Sequence, residues 1–430
     1  MEGSNDPSFS TAVSDDQRDG PWFGDLELTV GTNHALEKGG TDLGDEGEDG
    51  IQYHGGNSGK WSAIANYVNT IVGAGIIGLP FAFSQCGLWS GIFLMILTAY
   101  LVDRSTIMLV VSGVRAKRLN YEELTAVVFG NTGLYIFCFF AFVGVFGAMS
   151  AYLVIIGDTI PEILLASGTT TGPLASRETV IFLFAFFLIL PLASLKDLQK
   201  LSYASFFSVL ADALIIAIVI VSGPKESSEQ EGIDHSETFE FIRPSVFAGL
   251  GAISFAFVSQ SSSFLVYRSL KNPGLAQWKT ITNISVTTAW TMSMLLALAG
   301  YLSFVNLTEG DILNNFSTTH RSASAARGFL AVSMVFTYPM EMYVARHMLD
   351  SAIFQTFLGM GPITNARHYG ISLGIWGTTV LLASLTDDLG ILLEIFGAFS
   401  ASVRYIFSKN NVFPDQWCNT HFTCHNNTHT

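Results

Sequence analysis

From Trp61 onward the chain carries one apolar run after another, separated by polar loops. Each run is about 17 to 25 residues long, enough for a helix to cross a hydrocarbon core of roughly 30 Å. Backbone amides find no partner in lipid, so runs of this kind are satisfied as helices. The sequence predicts ten spans, at about 62–86, 89–112, 133–156, 179–195, 203–223, 245–267, 281–305, 327–345, 369–385 and 389–407. Only 13% of residues are charged, against about a quarter in a soluble domain. The expected fold class is all-α, a polytopic membrane protein. No cleavable signal peptide is expected, because the first apolar run lies behind a polar tail.

The first span is interrupted. It reads Asn69-Thr-Ile-Val-Gly-Ala-Gly-Ile-Ile-Gly-Leu-Pro80, with Gly73, Gly75 and Gly78 close together. Each costs a helix about 1 kcal/mol relative to alanine. The segment is expected to unwind at mid-membrane, where an ion or a substrate can satisfy the freed peptide groups.

Ten spans divide into five plus five, residues 61–223 and 244–407, and an odd number per half makes the halves inverted. In inverted repeats the first helix of each half is the broken one. The sixth span carries the polar run Ser259-Gln-Ser-Ser-Ser263 inside an apolar segment. A polar stripe packing between helices is the alternative reading of that run.

The chemistry follows from these breaks. A half-helix start near Gly75 would offer free N–H donors and about half a positive charge, which suits an α-carboxylate. Asn69 sits just before the turn. Ser333 and Thr337 of the eighth span are four apart, on one face, and Pro339 leaves an upstream carbonyl unbonded. Oxygens from two helices would suit sodium.

Residues 1–60 hold 13 Asp and Glu against Arg18, Lys38 and Lys60, and are expected to be a disordered acidic tail. Ten Lys and Arg fall in the loops on the tail's side and five in the opposite loops, which places the N-terminus in the cytoplasm. The sequons at Asn306 and Asn315 fall in a loop assigned to the other side. No basic patch points to nucleic acid. No nucleophile elbow, HExxH or Walker loop points to an enzyme. Asp103, Asp212, Glu341 and Glu394 interrupt spans; each is either a proton carrier or a buried partner of another polar group. Asp158 and Glu162, at the outer end of the third span, are expected to face water. The thiols and imidazoles of Cys418 to His429 do not have finger spacing, and no resident cofactor is expected.

On these stretches the chain resembles the amino acid/auxin permease family, within the APC superfamily with the LeuT-type fold, and most of all its sodium-coupled neutral amino acid transporters. The motifs are Asn69–Pro80, Asp103, Gly157-Asp-Thr-Ile160, Ser254-Phe-Ala-Phe-Val258 with Ser263-Phe-Leu-Val-Tyr267, and Phe336-Thr-Tyr-Pro339. The resemblance implies uptake of a neutral amino acid, coupled to sodium, by alternating access, from a monomeric unit in the bilayer. It implies substrate at Gly73, Ala74, Gly75, Phe255 and Ser259. It implies sodium near Asn69 and Thr337, with carbonyls around Val72 and Met334. The plasma membrane or an endolysosomal or vacuolar membrane is implied. After Ser402 the pattern stops, Arg404 enters the tenth span, and residues 408–430 are polar, where the family continues into an eleventh span. Either this form is shortened or the C-terminus is an incorrect gene model, and the second is favoured. The alternatives to sodium symport are proton-coupled transport, tested by uptake without sodium, and a nutrient sensor read through the tail, tested by deleting residues 1–55.

Overall fold

The computed structural model describes residues 56–410 except 57, 167–175, 195–201, 318–320, 362 and 387. The acidic tail and residues 411–430, including the Cys418–His429 stretch, lie outside the described residues. All regular elements among them are helical, apart from one isolated bridge, Ser58 with Leu270.

The first span consists of α1 (Lys60–Val72), a 3-10 turn (Ala74–Gly78) and α2 (Leu79–Cys86). Next come α3 (Leu88–Arg115) and α4 (Tyr121–Ala166). α4 begins at Tyr121, about three turns before the expected third span, and contains a non-helical residue at Gly130, φ +67°. The fourth span is α5 (Arg177–Phe184), a π turn (Ala185–Ile189) and α6 (Leu190–Ala193). α7 (Ser202–Glu229) completes the first half. The second half holds α8 (Val246–Ala256) and α9 (Gln260–Ser269) as its broken span, then α10 (Leu275–Phe304), α11 (Arg321–Leu349), α12 (Asn365–Leu385) and α13 (Leu389–Asn410). Among the described residues, α3, α4, α7, α10, α11 and the α8–α9 span are each long and apolar enough to cross a membrane, and the bent pair α1–α2 forms a seventh such unit. α5–α6, α12 and α13 occupy the three remaining expected positions, so the helices follow the ten-span, five-plus-five plan.

The core lies where the broken spans meet their neighbours. α2 packs on α8 and α1 on α9, while α13 covers α8 and α11 lies along α4. The outward faces of α3, α5 and α7 carry exposed apolar side chains such as Phe93, Phe182 and Phe206. That inverts the soluble rule and fits lipid as the solvent. Below, the N-face is the side where α1 begins and the far face is the opposite one.

Candidate transport site

The first break is set by one backbone angle. Gly73 adopts φ +40°, ψ −154°, a region open mainly to glycine. Its N–H still donates to Asn69 O, 3.0 Å, so α1 ends with its last carbonyls freed. The chain then tightens into the 3-10 turn. The α-helical half begins only at Leu79, with Pro80 in its first turn, later than the expected start near Gly75. The two halves meet at a bend of 43°.

The second break lies between α8 and α9. Phe257 (φ −104°, ψ 6°) and Ser259 (φ −136°, ψ 0°) leave the helical region, and α9 starts at Gln260. The polar run is therefore not itself the gap. Only Ser259 lies in it, and Gln260 to Ser263 form the first turn of α9. The two rods run antiparallel with their breaks level: a Cβ placed on Gly75 would fall 2.5 Å from the Cα of Ala256.

This contact relocates the open space. Gly75 faces the backbone of α8, whereas a Cβ on Gly73 would meet only the Tyr152 hydroxyl, at 3.9 Å. Tyr152, on α4, is buried and was not marked by any sequence motif. Ala74 lies in the 3-10 turn. Phe255, one residue before the end of α8, packs its Cβ toward Gly397 of α13. The Ser259 hydroxyl lies 3.3 Å from Tyr67 Oη, on the N-face side of the break.

The residues considered for sodium bond to serines of α7, which the motifs did not mark. Asn69 Nδ2 donates to Ser205 Oγ of α7 at 3.5 Å, and Ser333 Oγ donates to Ser208 Oγ at 2.7 Å. Thr337 Oγ1 donates to Ser333 O at 2.9 Å. Val72 and Met334 are each 1% exposed. Asn69 thus meets α7 at Ser205, and the Ser333–Thr337 turn of α11 meets it one turn on, at Ser208.

Below the break the N-face is closed. Tyr67 Oη lies within 3.1 to 3.3 Å of Thr106, Ser259 and Ser263, and its ring packs on Trp278, which also meets Tyr267. Asp103, beside this cluster, pairs with Arg104 at 2.9 Å and accepts from Asn283 at 2.7 Å with that amide oriented to satisfy both groups. The partner reading of Asp103 accounts for its place here.

The far face is tied by ion pairs across the helices. Asp158 and Glu162 do not simply face water: Asp158 holds Arg177 at 2.5 Å, and Glu162 holds the buried Arg327 at 2.6 Å. Arg327 also donates to Leu313 O and Phe316 O, clamping the loop 305–316. Of the two sequons, Asn306 is exposed but Asn315 is buried, bonding Leu307 O at 2.7 Å and the N–H of Glu309 at 3.0 Å. Asn315 is a structural residue of the loop and not a glycan acceptor in the folded protein. Asp311 is buried in the same loop. Desolvation, with the nearby Asp158 and Glu162 outweighing Arg327, pushes its carboxyl up to about 7.

Residues 56–408 match the model of the transmembrane amino acid transporter protein family. The chain belongs to this family. The transporter is 33% identical over 370 residues to Putative sodium-coupled neutral amino acid transporter 11 of Danio rerio, covering 85% of this chain and 81% of that one. It is 28% identical to Vacuolar amino acid transporter 2 of Saccharomyces cerevisiae, covering 79% and 73%. Its fold is shared with a solved Na+-coupled sialic acid symporter in a substrate-bound outward-open state, at TM-score 0.53 and 13% identity, covering 86% and 82%. The resemblance to amino acid/auxin permeases and the LeuT-type fold read from the motifs are borne out. The transporter is an amino acid transporter of the membrane, not an enzyme.

Proposed function

We propose that the transporter carries neutral amino acids together with sodium, by alternating access about the two level breaks. The observation that carries this reading is the seating of Gly75 against Ala256, which brings four helix ends to one point. Freed N–H groups at the 3-10 turn and at the start of α9 suit the substrate carboxylate. Tyr152 Oη, across the open side of Gly73, is a donor for the same group. Sodium takes oxygens of Asn69, Val72, Met334 and Thr337. The residues present fit such an ion, since hydroxyls, an amide and freed carbonyls are hard donors. Sodium offsets the carbonyl ends at the break and raises substrate affinity, and the coupling is reciprocal. The names of the relatives support both substrate class and ion.

The N-face is the cytoplasmic side in this reading, following the Lys and Arg distribution. The closed Tyr67 cluster is then the inner gate, and the clamped 305–316 loop lies over the outer approach. The transport unit is a single chain in the bilayer.

Radiolabelled uptake by the purified protein in proteoliposomes tests the proposal. The expected result is accumulation of neutral amino acids that falls to background without a sodium gradient. Uptake that persists without sodium and is abolished by raising external pH would overturn the sodium assignment.

A further inference from the structure

Asp212 is an acid in the wrong place for a structural role. It lies on α7 within the apolar span 205–229 and is 3% exposed. No residue among those described hydrogen-bonds or ion-pairs with its carboxylate. The elements packed on α7 are α1, α10 and α11. Their described charged residues are Lys60, Lys279, Arg327, Glu341, Arg346 and His347, and none reaches it. Arg327 is bound to Glu162, Arg346 to Ala193 O and Ser372, and His347 to Glu122. On α7 itself the nearest charge is Lys225, about 20 Å along the helix.

Among the described residues, no cation or donor offsets an ionised carboxylate in that position. As a neutral acid it is satisfied, because its hydroxyl can donate to the carbonyl one turn back. The spans' own hydroxyls do this: Ser150 bonds Phe146 O and Thr337 bonds Ser333 O. Sodium is the poorer occupant. It needs several oxygens around it, and no described side chain bonds Asp212; a proton needs a single acceptor, which the carbonyl one turn back supplies.

The place of Asp212 on the helix matters as much as its isolation. Ser205, Ser208 and Asp212 share one face of α7 at helical spacing. The first two bond to Asn69 on the broken span and to Ser333 on α11. Asp212 therefore sits one turn along the seam that must part when α1 moves against α7 and α11.

We infer that Asp212 is a proton-coupling site: it is protonated while the α7 seam is closed and gives its proton to water when the seam opens. The step breaks one carboxyl O–H bond, leaves a carboxylate, and transfers the proton to water entering the seam. The inference rests on the alternating-access reading but not on sodium.

Full-length wild type and Asp212→Asn in proteoliposomes provide the test, with two readouts. Infrared difference spectra recorded across a pH titration report a buried carboxylic acid directly. The expected result is an acid carbonyl band that wild type loses as pH rises and Asp212→Asn lacks, with Asp212→Glu shifting its frequency should the Asn variant not fold. An entrapped pH dye, at equal sodium on both sides, reports proton movement on addition of the transported amino acid. Wild type moves protons with substrate; Asp212→Asn exchanges labelled for unlabelled substrate but moves none. The same titrating band in the variant, or unchanged proton movement per amino acid, would overturn the inference. Loss of sodium dependence alone would sink the sodium assignment and leave the band untouched.

Discussion

At the scale of single residues, two glycines of one motif do different work. Gly73 supplies a backbone conformation that costs another residue about 1–3 kcal/mol, and its hydrogen faces the space below Tyr152. Gly75 supplies proximity between rods. Gly75→Leu is expected to abolish uptake while the protein still reaches the membrane, because the side chain wedges α8 away. Surface labelling alongside uptake checks this, and normal transport would count against a site at the breaks. Tyr152→Phe is expected to raise KM for substrate about ten- to a hundredfold, the loss of a hydrogen bond to a charged group being worth about 1.5–3 kcal/mol. An unchanged KM would remove Tyr152 from the site. Neither Tyr152 nor the α7 serines were legible in the sequence. A tyrosine or serine inside a span looks the same whether it packs, caps or binds, and their partners lie far along the chain.

At the scale of elements, the breaks were legible because glycine and clustered hydroxyls are poor fillers of a lipid-bound helix. Their registers were less so. The gap of the sixth span falls at Phe257–Ser259 and not across the serines, since the freed backbone is satisfied by tertiary contacts that local composition does not encode. The same limit applied at the far face. Asp158 and Glu162 were read as wet because their partners, Arg177 and Arg327, are 19 and 165 positions away. The N-face closure hangs on Tyr67, whose hydroxyl meets three others. Tyr67→Phe, which keeps the ring on Trp278, is expected to weaken that closure by about 1 kcal/mol per lost bond. A cysteine placed at Ser262 would then react faster with a membrane-impermeant thiol reagent added from the N-face. An equal rate in the two backgrounds would show that the hydroxyl cluster does not hold the gate.

At the scale of the whole molecule, the far face is stapled by a loop whose stability depends on pH. The Asp311 carboxyl ionises at about 7 in the folded protein but near its ordinary value of 3.8 when unfolded. The unfolded chain therefore binds fewer protons between those values, and the stability contributed by Asp311 falls as pH rises through that window. It is fully present below about pH 4 and gone above about pH 7. Asp311→Asn is expected to melt higher than wild type at pH 8, with the gain shrinking by pH 5. A gain that is the same at both pH values would place the burial of Asp311 elsewhere.

The meeting of four helix ends at one depth has a consequence for discrimination. Two of those ends present carbonyls, from α1 and α8, and two present amides, from the 3-10 turn and α9. A zwitterion satisfies both sets at once. A simple amine or a simple carboxylic acid leaves one set of dipoles unanswered in a region that water enters only in turns. The pocket would thus reject single-charge analogues of its cargo whatever their side chain, a selectivity written in the main chain and indifferent to mutation of the residues around it.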